Sequence, residues 1–294
     1  MNKFLLISLI GAVLSIPSIA RPATIGNIAG MQVTSGRYSL GIEHDSVANR
    51  DMAFDEGSAF TVDSFGIQPA LFPDPLIPGG RISDVEIKSN RVLLRGTWSP
   101  MSRLDFFVKL GIADVELNYT IKSPTQTDKH IKYDGSIGVA YGVGLKGEIT
   151  NWRSWAVISE FQFLRYEVEG DFTIDGQDLA ALLLPNLNPM RSGSKAEIQE
   201  LQLAVYITGK IGMMTPYGGF KISDLSMDVN SEVTGRDGIT GFSTTESRRE
   251  THESLDRVGV FLGTGIEMNG PWTANIEFRF IDETAVSIGI NRRF

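Results

Sequence analysis

The chain has no cysteine, only three histidines and, past residue 20, no long apolar run. Without cysteine there is neither a disulfide framework nor a thiolate zinc site. The histidines, His44, His130 and His252, fall at no metal-ligand spacing, so no metal and no cofactor is expected. The longest apolar stretch beyond the N-terminus, Leu179 to Leu184, is far short of the ~20 residues a spanning helix needs. A helical membrane protein is thereby excluded, but not a membrane barrel, whose strands are apolar on one face only. Positive charge is also in short supply. Lys and Arg total 27 against 35 Asp and Glu, a net charge of −8, and nucleic acid is not a partner such a chain would attract.

Residues 1–20 have the form of a secretory signal: Lys3, an apolar core from Phe4 to Ile16, and the small-x-small end Ser18-Ile19-Ala20. The apolar core is too short for a membrane anchor. Residues 21–35 form a short N-terminal segment without clear period, and 36–294 read as one barrel domain.

The final stretch, TAVSIGINRRF, carries the strongest pattern. Val286, Ile288, Ile290, Arg292 and Phe294 share one face, and Ala285, Ser287, Gly289, Asn291 and Arg293 the other. A strand alternates faces at every residue, so one side is apolar and the other small or polar. Trp272 to Phe280 repeats the pattern, and eight earlier segments do so down to Arg37, which makes ten strands, with eight or twelve as alternatives. The connections alternate, short after 98, 150, 212 and 268 and long after 45, 119, 173 and 228. A closed antiparallel transmembrane β-barrel has this rhythm, with short periplasmic turns and long external loops. Trp98, Trp152, Trp155, Trp272 and Tyr119 stand near strand ends, where an interfacial girdle belongs. Near Leu164 the alternation reads as slipping in phase, which suggests a bulge. Gln177 to Leu184 is the one helical-looking piece, with Asp175 as its N-cap. Residues 46–80 and 229–254 read as loops.

TAVSIGINRRF, the glycine-spaced AYGVGLKGEI (140–149) and TPYGGFKIS (215–223) resemble the small outer-membrane β-barrels of the outer-membrane-protein-A-like, porin-like superfamily. That resemblance implies the outer membrane of a diderm (Gram-negative) bacterium after signal-peptide export. It further implies contact with outer-membrane lipid and lipopolysaccharide, and insertion by the barrel-assembly machinery, which would read Ile288, Ile290 and Phe294. Arg292 departs from the pattern, an aromatic being usual there. The peptidoglycan-binding domain of longer members is missing.

Inward positions carry charges of both signs: Arg37, Glu43, Arg91, Arg95, Asp105, Lys109, Lys146, Glu160, Glu200, Lys210, Arg257, Glu267, Glu277 and Arg279. In so narrow a barrel opposite charges can meet across the lumen. The expectation is a largely filled, salt-bridged lumen in a structural or surface-interaction barrel; the alternative is a small porin-like channel for ions or small solutes. Ten strands is also the count of the omptin proteases, but the chain offers only Asp128-Lys129-His130 in one loop and His252-Glu253 with Asp256 in another, without a matching acid pair. No catalytic residue is assigned and an enzyme is not expected. Residues 243–256 read as a mobile external loop whose partner the sequence does not name.

Overall fold

The computed structural model describes residues 37–63, 66–69, 81–101, 103–123, 127–152, 154–178, 188–236, 243–268 and 270–294. Segments 1–20 and 21–35 lie outside them. The described chain is nearly all strand: β1 (Arg37–Asp63), β2 (Gly66–Pro69), β3 (Arg81–Met101), β4 (Leu104–Lys122), β5 (Lys129–Trp152), β6 (Trp155–Ile174), β7 (Gln177–Asp178), β8 (Asn188–Gly209), β9 (Met214–Arg236), β10 (Ser243–Ser254), β11 (Val258–Glu267), β12 (Trp272–Phe280) and β13 (Thr284–Arg293). Antiparallel pairing runs β1-β13-β12-β11-β9-β8-β6-β5-β4-β3 and returns to β1, closing a ten-stranded barrel. Closure leaves no sheet edge along this ring.

The strands alternate, but in the long ones the meaning of the two faces changes along the length. On β4 the inward residues run Asp105, Phe107, Lys109, Gly111, then Ala113, Val115, Leu117, Tyr119 and Ile121. The outward ones run Phe106, Val108, Leu110, Ile112, then Asp114, Glu116, Asn118, Thr120 and Lys122. At the short-turn end the barrel is therefore polar inside and apolar outside; at the loop end it is apolar inside and charged outside. The exposed belt is continuous around the wall, with Leu94, Val108, Val143, Leu203, Phe220, Leu262 and Phe278 all on it. A membrane strand needs ~9–11 residues, and β4, at 19, and β5, at 24, are about twice that. All four tryptophans lie at the short-turn end, with Trp98, Trp152 and Trp155 exposed there. Tyr119, assigned to the girdle, is instead buried inside the loop-end half.

The inversion also accounts for the expected slip near Leu164. β6 keeps one phase from Ile158 to Ile174, with every alternate residue but Gly170 buried. Leu164 is where inward residues turn from Glu160 and Gln162 to Tyr166 and Val168. The irregularity lies on its neighbour, where β5 bulges between Gly135 and Val139.

The segments assigned to long loops are in large part strand. β1 runs on to Asp63, and 229–254 supplies the end of β9 and all of β10. β10 inserts directly between β9 and β1, with Glu250↔Val229 on one side and Gly57↔Glu250 on the other. The loop-end half is thus an eight-stranded ring, β1-β10-β9-β8-β6-β5-β4-β3, and the short β12–β13 hairpin ends partway up the wall. Leu255, Asp256 and Arg257 make the jog from β10 to β11, pinned by Leu255 N–H to the Asp51 carbonyl at 3.2 Å and Ser223 N–H to the Arg257 carbonyl at 2.8 Å. The hairpin tip holds Ile281 at φ 84°, a strained conformation for a β-branched residue.

Farther out the ring divides. β1 and β3 last pair at Met52↔Val85, and β6 and β8 at Gly170↔Ser194. Beyond these points β3-β4-β5-β6 and β8-β9-β10-β1 continue as two four-stranded sheets. Of the helix expected at 177–184, all from Leu179 lies outside the described residues. Gln177 and Asp178 are strand, paired to β6, and Asp175 sits in the turn at φ 51°, accepting from Lys129 Nζ at 2.8 Å and His130 N–H at 3.0 Å.

Candidate functional site

The lumen at belt level is lined by charge, and its centre is Glu200 on β8. Arg50 Nη1 donates to Glu200 Oε1 at 2.7 Å and Arg91 Nη1 to Oε2 at 2.8 Å. Gln202 Nε2 and the Ser223 hydroxyl donate to Oε1 at 2.6 and 3.2 Å. Arg50 belongs to β1, which stands opposite β8 in the ten-stranded ring. Side chains from facing walls therefore meet at this level. All three ionic groups are fully or almost fully buried.

Two further clusters adjoin it. Glu43 accepts from Arg95 at 3.2 Å and pairs with Lys109 at 2.9 Å, while Glu160 lies 3.9 Å from Arg95 and 3.7 Å from Lys146. The Arg95 guanidinium also stacks 3.8 Å from the Phe107 ring. Gly144 makes room for that ring, because a Cβ there would collide with Phe107 Cζ. The inward glycines of AYGVGLKGEI thus admit an aromatic that carries a cation. On the other side, Arg279 pairs with Asp45, Glu277 and Glu283 at 3.3, 3.3 and 3.5 Å, and Lys221 with Asp282 at 2.7 Å and with Glu283. Asp282 and Glu283 come from the strained hairpin tip, which points its carboxylates inward. Buried charges persist in low dielectric only when paired and hydrogen-bonded; Arg50, 3.6 Å from Glu283, joins the Glu200 and Arg279 clusters into one network, with the Glu43 cluster beside it.

The structure buries Glu43, Arg91, Arg95, Asp105, Lys109, Lys146, Glu160, Glu200, Glu277 and Arg279 inside the wall. Arg37 opens β1, but its side chain is outside what is described. Three other expected lumen residues are elsewhere. Lys210 and Glu267 face each other at 2.7 Å outside the short-turn rim, and Arg257 lies exposed in the jog with Asp224 and Glu253, both at 3.2 Å. Lys210 and Arg257 lie one residue beyond a strand end, and Glu267 is the last residue of β11. Asp45, Arg50, Lys221, Asp282 and Glu283 belong to the network without being expected there from sequence. Lys221 is legible in retrospect, since Phe220 and Ile222 flank it as an outward pair. Arg50 follows the β1 bulge after Val47, and the two acids are in a turn, so alternation could not reach them.

A second cluster sits in the loop-end half. The inner face of β10 presents Glu246, Arg248, Glu250, His252 and Ser254, all buried, toward a core otherwise built from residues such as Leu117, Ile131, Tyr133, Tyr166 and Met227. Arg248 Nε approaches Glu250 at 2.5 Å, His252 Nε2 lies 3.1 Å from it, and the Tyr119 hydroxyl donates to it at 2.9 Å. Burial alone would raise the Glu250 carboxyl, but Arg248, His252 and Tyr119 outweigh it and hold the group at about 2. His252, expected as a solvated loop histidine, is buried between the Phe54 and Tyr119 rings at 5.6 and 5.8 Å. Ser254 ends the track, accepting from Arg50 at 3.1 Å, and so joins it to the lumen network. His130 stays exposed beside Thr120 at 3.2 Å. Among the described residues no three His, Asp or Glu lie together as a metal site.

On the outward face, Ile288 and Ile290 of β13 share one side with Arg292, and Phe294 follows directly after the strand, exposed. The Arg292 guanidinium lies over the Trp272 and Phe294 rings at 5.6 and 4.9 Å, so the departure from the usual aromatic is covered by aromatics.

No family model matches the sequence, and no curated protein is similar to it. Solved structures share the fold. The outer membrane protein OprG of Pseudomonas aeruginosa is 12% identical (90% of this chain, 98% of that one, TM-score 0.37), and the outer membrane protease OmpT of Escherichia coli 7% (90% and 100%, TM-score 0.41). The toluene transporter TbuX of Ralstonia pickettii is 12% identical (93% of each chain, TM-score 0.35). The likeness is one of fold alone, and the barrel architecture stands on the strand pairing of this chain.

Proposed function

We propose that the protein is an outer-membrane barrel of a diderm bacterium, closed at belt level, that serves as a structural and surface-interaction barrel. The observation that carries this reading is the meeting of Arg50 and Arg91 with Glu200 across the lumen, at 2.7 and 2.8 Å with almost no solvent exposure. Opening a pore there would separate buried ion pairs and expose the partners singly, which is costly. The belt takes lipid on its outer face, lipopolysaccharide would meet its outer edge, and Ile288, Ile290 and Phe294 are the surface offered to the insertion machinery. The loop-end half then stands outside the membrane, since its outward residues are charged.

Single-channel recording of the refolded barrel in planar bilayers tests the reading. Silence from folded, heat-modifiable protein is the expected result; steady, voltage-stable steps would overturn it. The second reading, a small porin-like channel for ions or small solutes, draws on the polar inner face of β10, which reaches from the outer end to Arg50. Under that reading wild-type protein conducts, and Glu200→Ala raises the conductance.

A further inference from the structure

Where the two outer sheets part at Gly170↔Ser194, a cleft of about 960 Å³ opens between β6 and β8 and runs across β9 and β10. Ligand pockets are usually lined by apolar and aromatic side chains. Among the described residues this one has none. Its back wall is hydroxyl and amide, with Ser194 and Ser231 buried and hydrogen-bonded to each other at 3.0 Å, and Ser247 and Asn230 beside them. Arg248 also lines it. That side chain is nine-tenths buried and tethered from within by Glu250 and by the Tyr119 hydroxyl at 3.1 Å, so its charge is held in place. The rim has an excess of the opposite sign. Asp134 and Asp171 are direct cross-strand partners, both exposed, with Glu169 and Glu232 flanking them, while the rim cations Lys195 and Arg249 are each paired with an acid outside the lining, Glu167 at 2.8 Å and Asp228 at 3.6 Å.

These features select a ligand by exclusion. A lining without apolar or aromatic side chains gives lipids, hydrocarbons and aromatic rings no pocket of their own to fill. The acidic rim repels polyanions. The serines and Asn230 donate and accept, as do the backbone groups of β6 and β8 beyond their last pair, which suits a molecule dense in hydroxyls. One held cation at the wall matches one anionic group. We propose that the cleft binds an acidic saccharide, a short glycan bearing a single carboxylate per site. This rests on the reading that the loop end faces outward, and adds a ligand class to it.

The test is titration of the folded full chain in detergent micelles with 3′-sialyllactose, a trisaccharide with one carboxylate, followed by calorimetry or saturation-transfer NMR. Maltotriose, inorganic phosphate and an unstructured hexapeptide serve as comparison probes. The expected result is saturable binding of sialyllactose at least tenfold tighter than maltotriose or phosphate. Arg248→Gln should weaken it at least tenfold. Because that change also disturbs Glu250, Gly193→Trp is the second variant. Gly193 lines the outer rim of the cleft and a Cβ there meets nothing within 4 Å, so an indole crowds the mouth while the barrel stays heat-modifiable, and binding should weaken at least tenfold. No saturation by sialyllactose, equal binding of maltotriose, or binding indifferent to Gly193→Trp would each overturn the proposal. Binding of the hexapeptide alone would replace it with strand addition. Micelle titration is blind to conduction, so a conducting lumen would defeat the closed-barrel reading and leave the cleft standing, whereas lost binding would defeat only the cleft.

Discussion

The two halves of the barrel share strands, hydrogen bonding and alternation, yet they obey opposite rules about what faces in. In the belt half Asp105 and Lys109 point inward while Val108 and Leu110 are more than half exposed. In the outer half of the same strand Leu117 is fully buried and Glu116 and Lys122 face out. The backbone is indifferent to this switch, because the same ladder pairs N–H with C=O in both media wherever the ring is closed. Side chains alone record the solvent. Hydrocarbon outside requires an apolar exterior and allows a polar interior closed by ion pairs; water outside reverses both demands. The level of the inversion, between Ile112 and Asp114 on β4 and between Phe163 and Arg165 on β6, marks the edge of the membrane.

Substitutions placed on the two sides of that level sharpen or break the contrast. The largest effect is expected at Glu200. Glu200→Ala leaves Arg50 and Arg91 buried without their shared carboxylate, and should cost about 3–5 kcal/mol in urea unfolding from micelles. A loss below about 1 kcal/mol would mean that water already reaches those cations. Next are matched changes on β4. Leu110→Arg puts a charge on the lipid face and should cost about 2–4 kcal/mol in bilayers. Leu117→Ala should cost about 2–4 kcal/mol in bilayers and in detergent alike, since it empties a protein core and not a lipid contact. If Leu110→Arg proves as mild as a surface change, the belt assignment is wrong.

A third effect is pH-dependent. Glu250 is held at about 2 when folded, well below an ordinary glutamate. Its contribution is therefore complete above pH ~4.5 and is lost as pH falls toward 2. Wild type should lose on the order of 3 kcal/mol across that window, at about 1.4 kcal/mol per pH unit. In Glu250→Gln this share of the acid loss should vanish, with stability lower than wild type at pH 7. An unchanged acid limb would show that Glu250 is not paired in solution. The smallest effect belongs to the outer surface, where Lys88→Ala removes a half-exposed pair with Glu116 at 3.4 Å and should shift stability by less than about 1 kcal/mol.

Legibility in the sequence followed the same division. Over the belt, period-two counting found the strands and their inward charges, because the polar–apolar contrast is strongest where lipid is the solvent. Beyond it the pattern inverts without losing phase, and a reader holding one meaning for each face sees a slip at Leu164 and loops at 46–80 and 229–254. The buried Glu246, Arg248, Glu250 and His252 looked like a solvated loop for that reason: they are a polar strip within an apolar core. Lys210, Arg257 and Glu267 went astray at strand ends, where a parity count has no wall left to refer to. The division of the ring into two sheets is a matter of long-range pairing, and no local pattern encodes it.

The step from ten strands to eight has a consequence for how the wall is sealed. β1 is the common suture of both rings: its first half is laced to β13 from Ser39↔Arg293 to Asn49↔Thr284, and its second half to β10 from Met52↔Ser254 to Val62↔Thr245. Both seams join the start of the chain to residues some two hundred positions away, so they are the last and most entropically demanding to form. Since one backbone carries both, a slip in either would misalign the other, and the bulges after Val47 and after Phe54 are where their registers are reconciled. The barrel has two seams and one thread, and closing the part in lipid sets the register of the part in water.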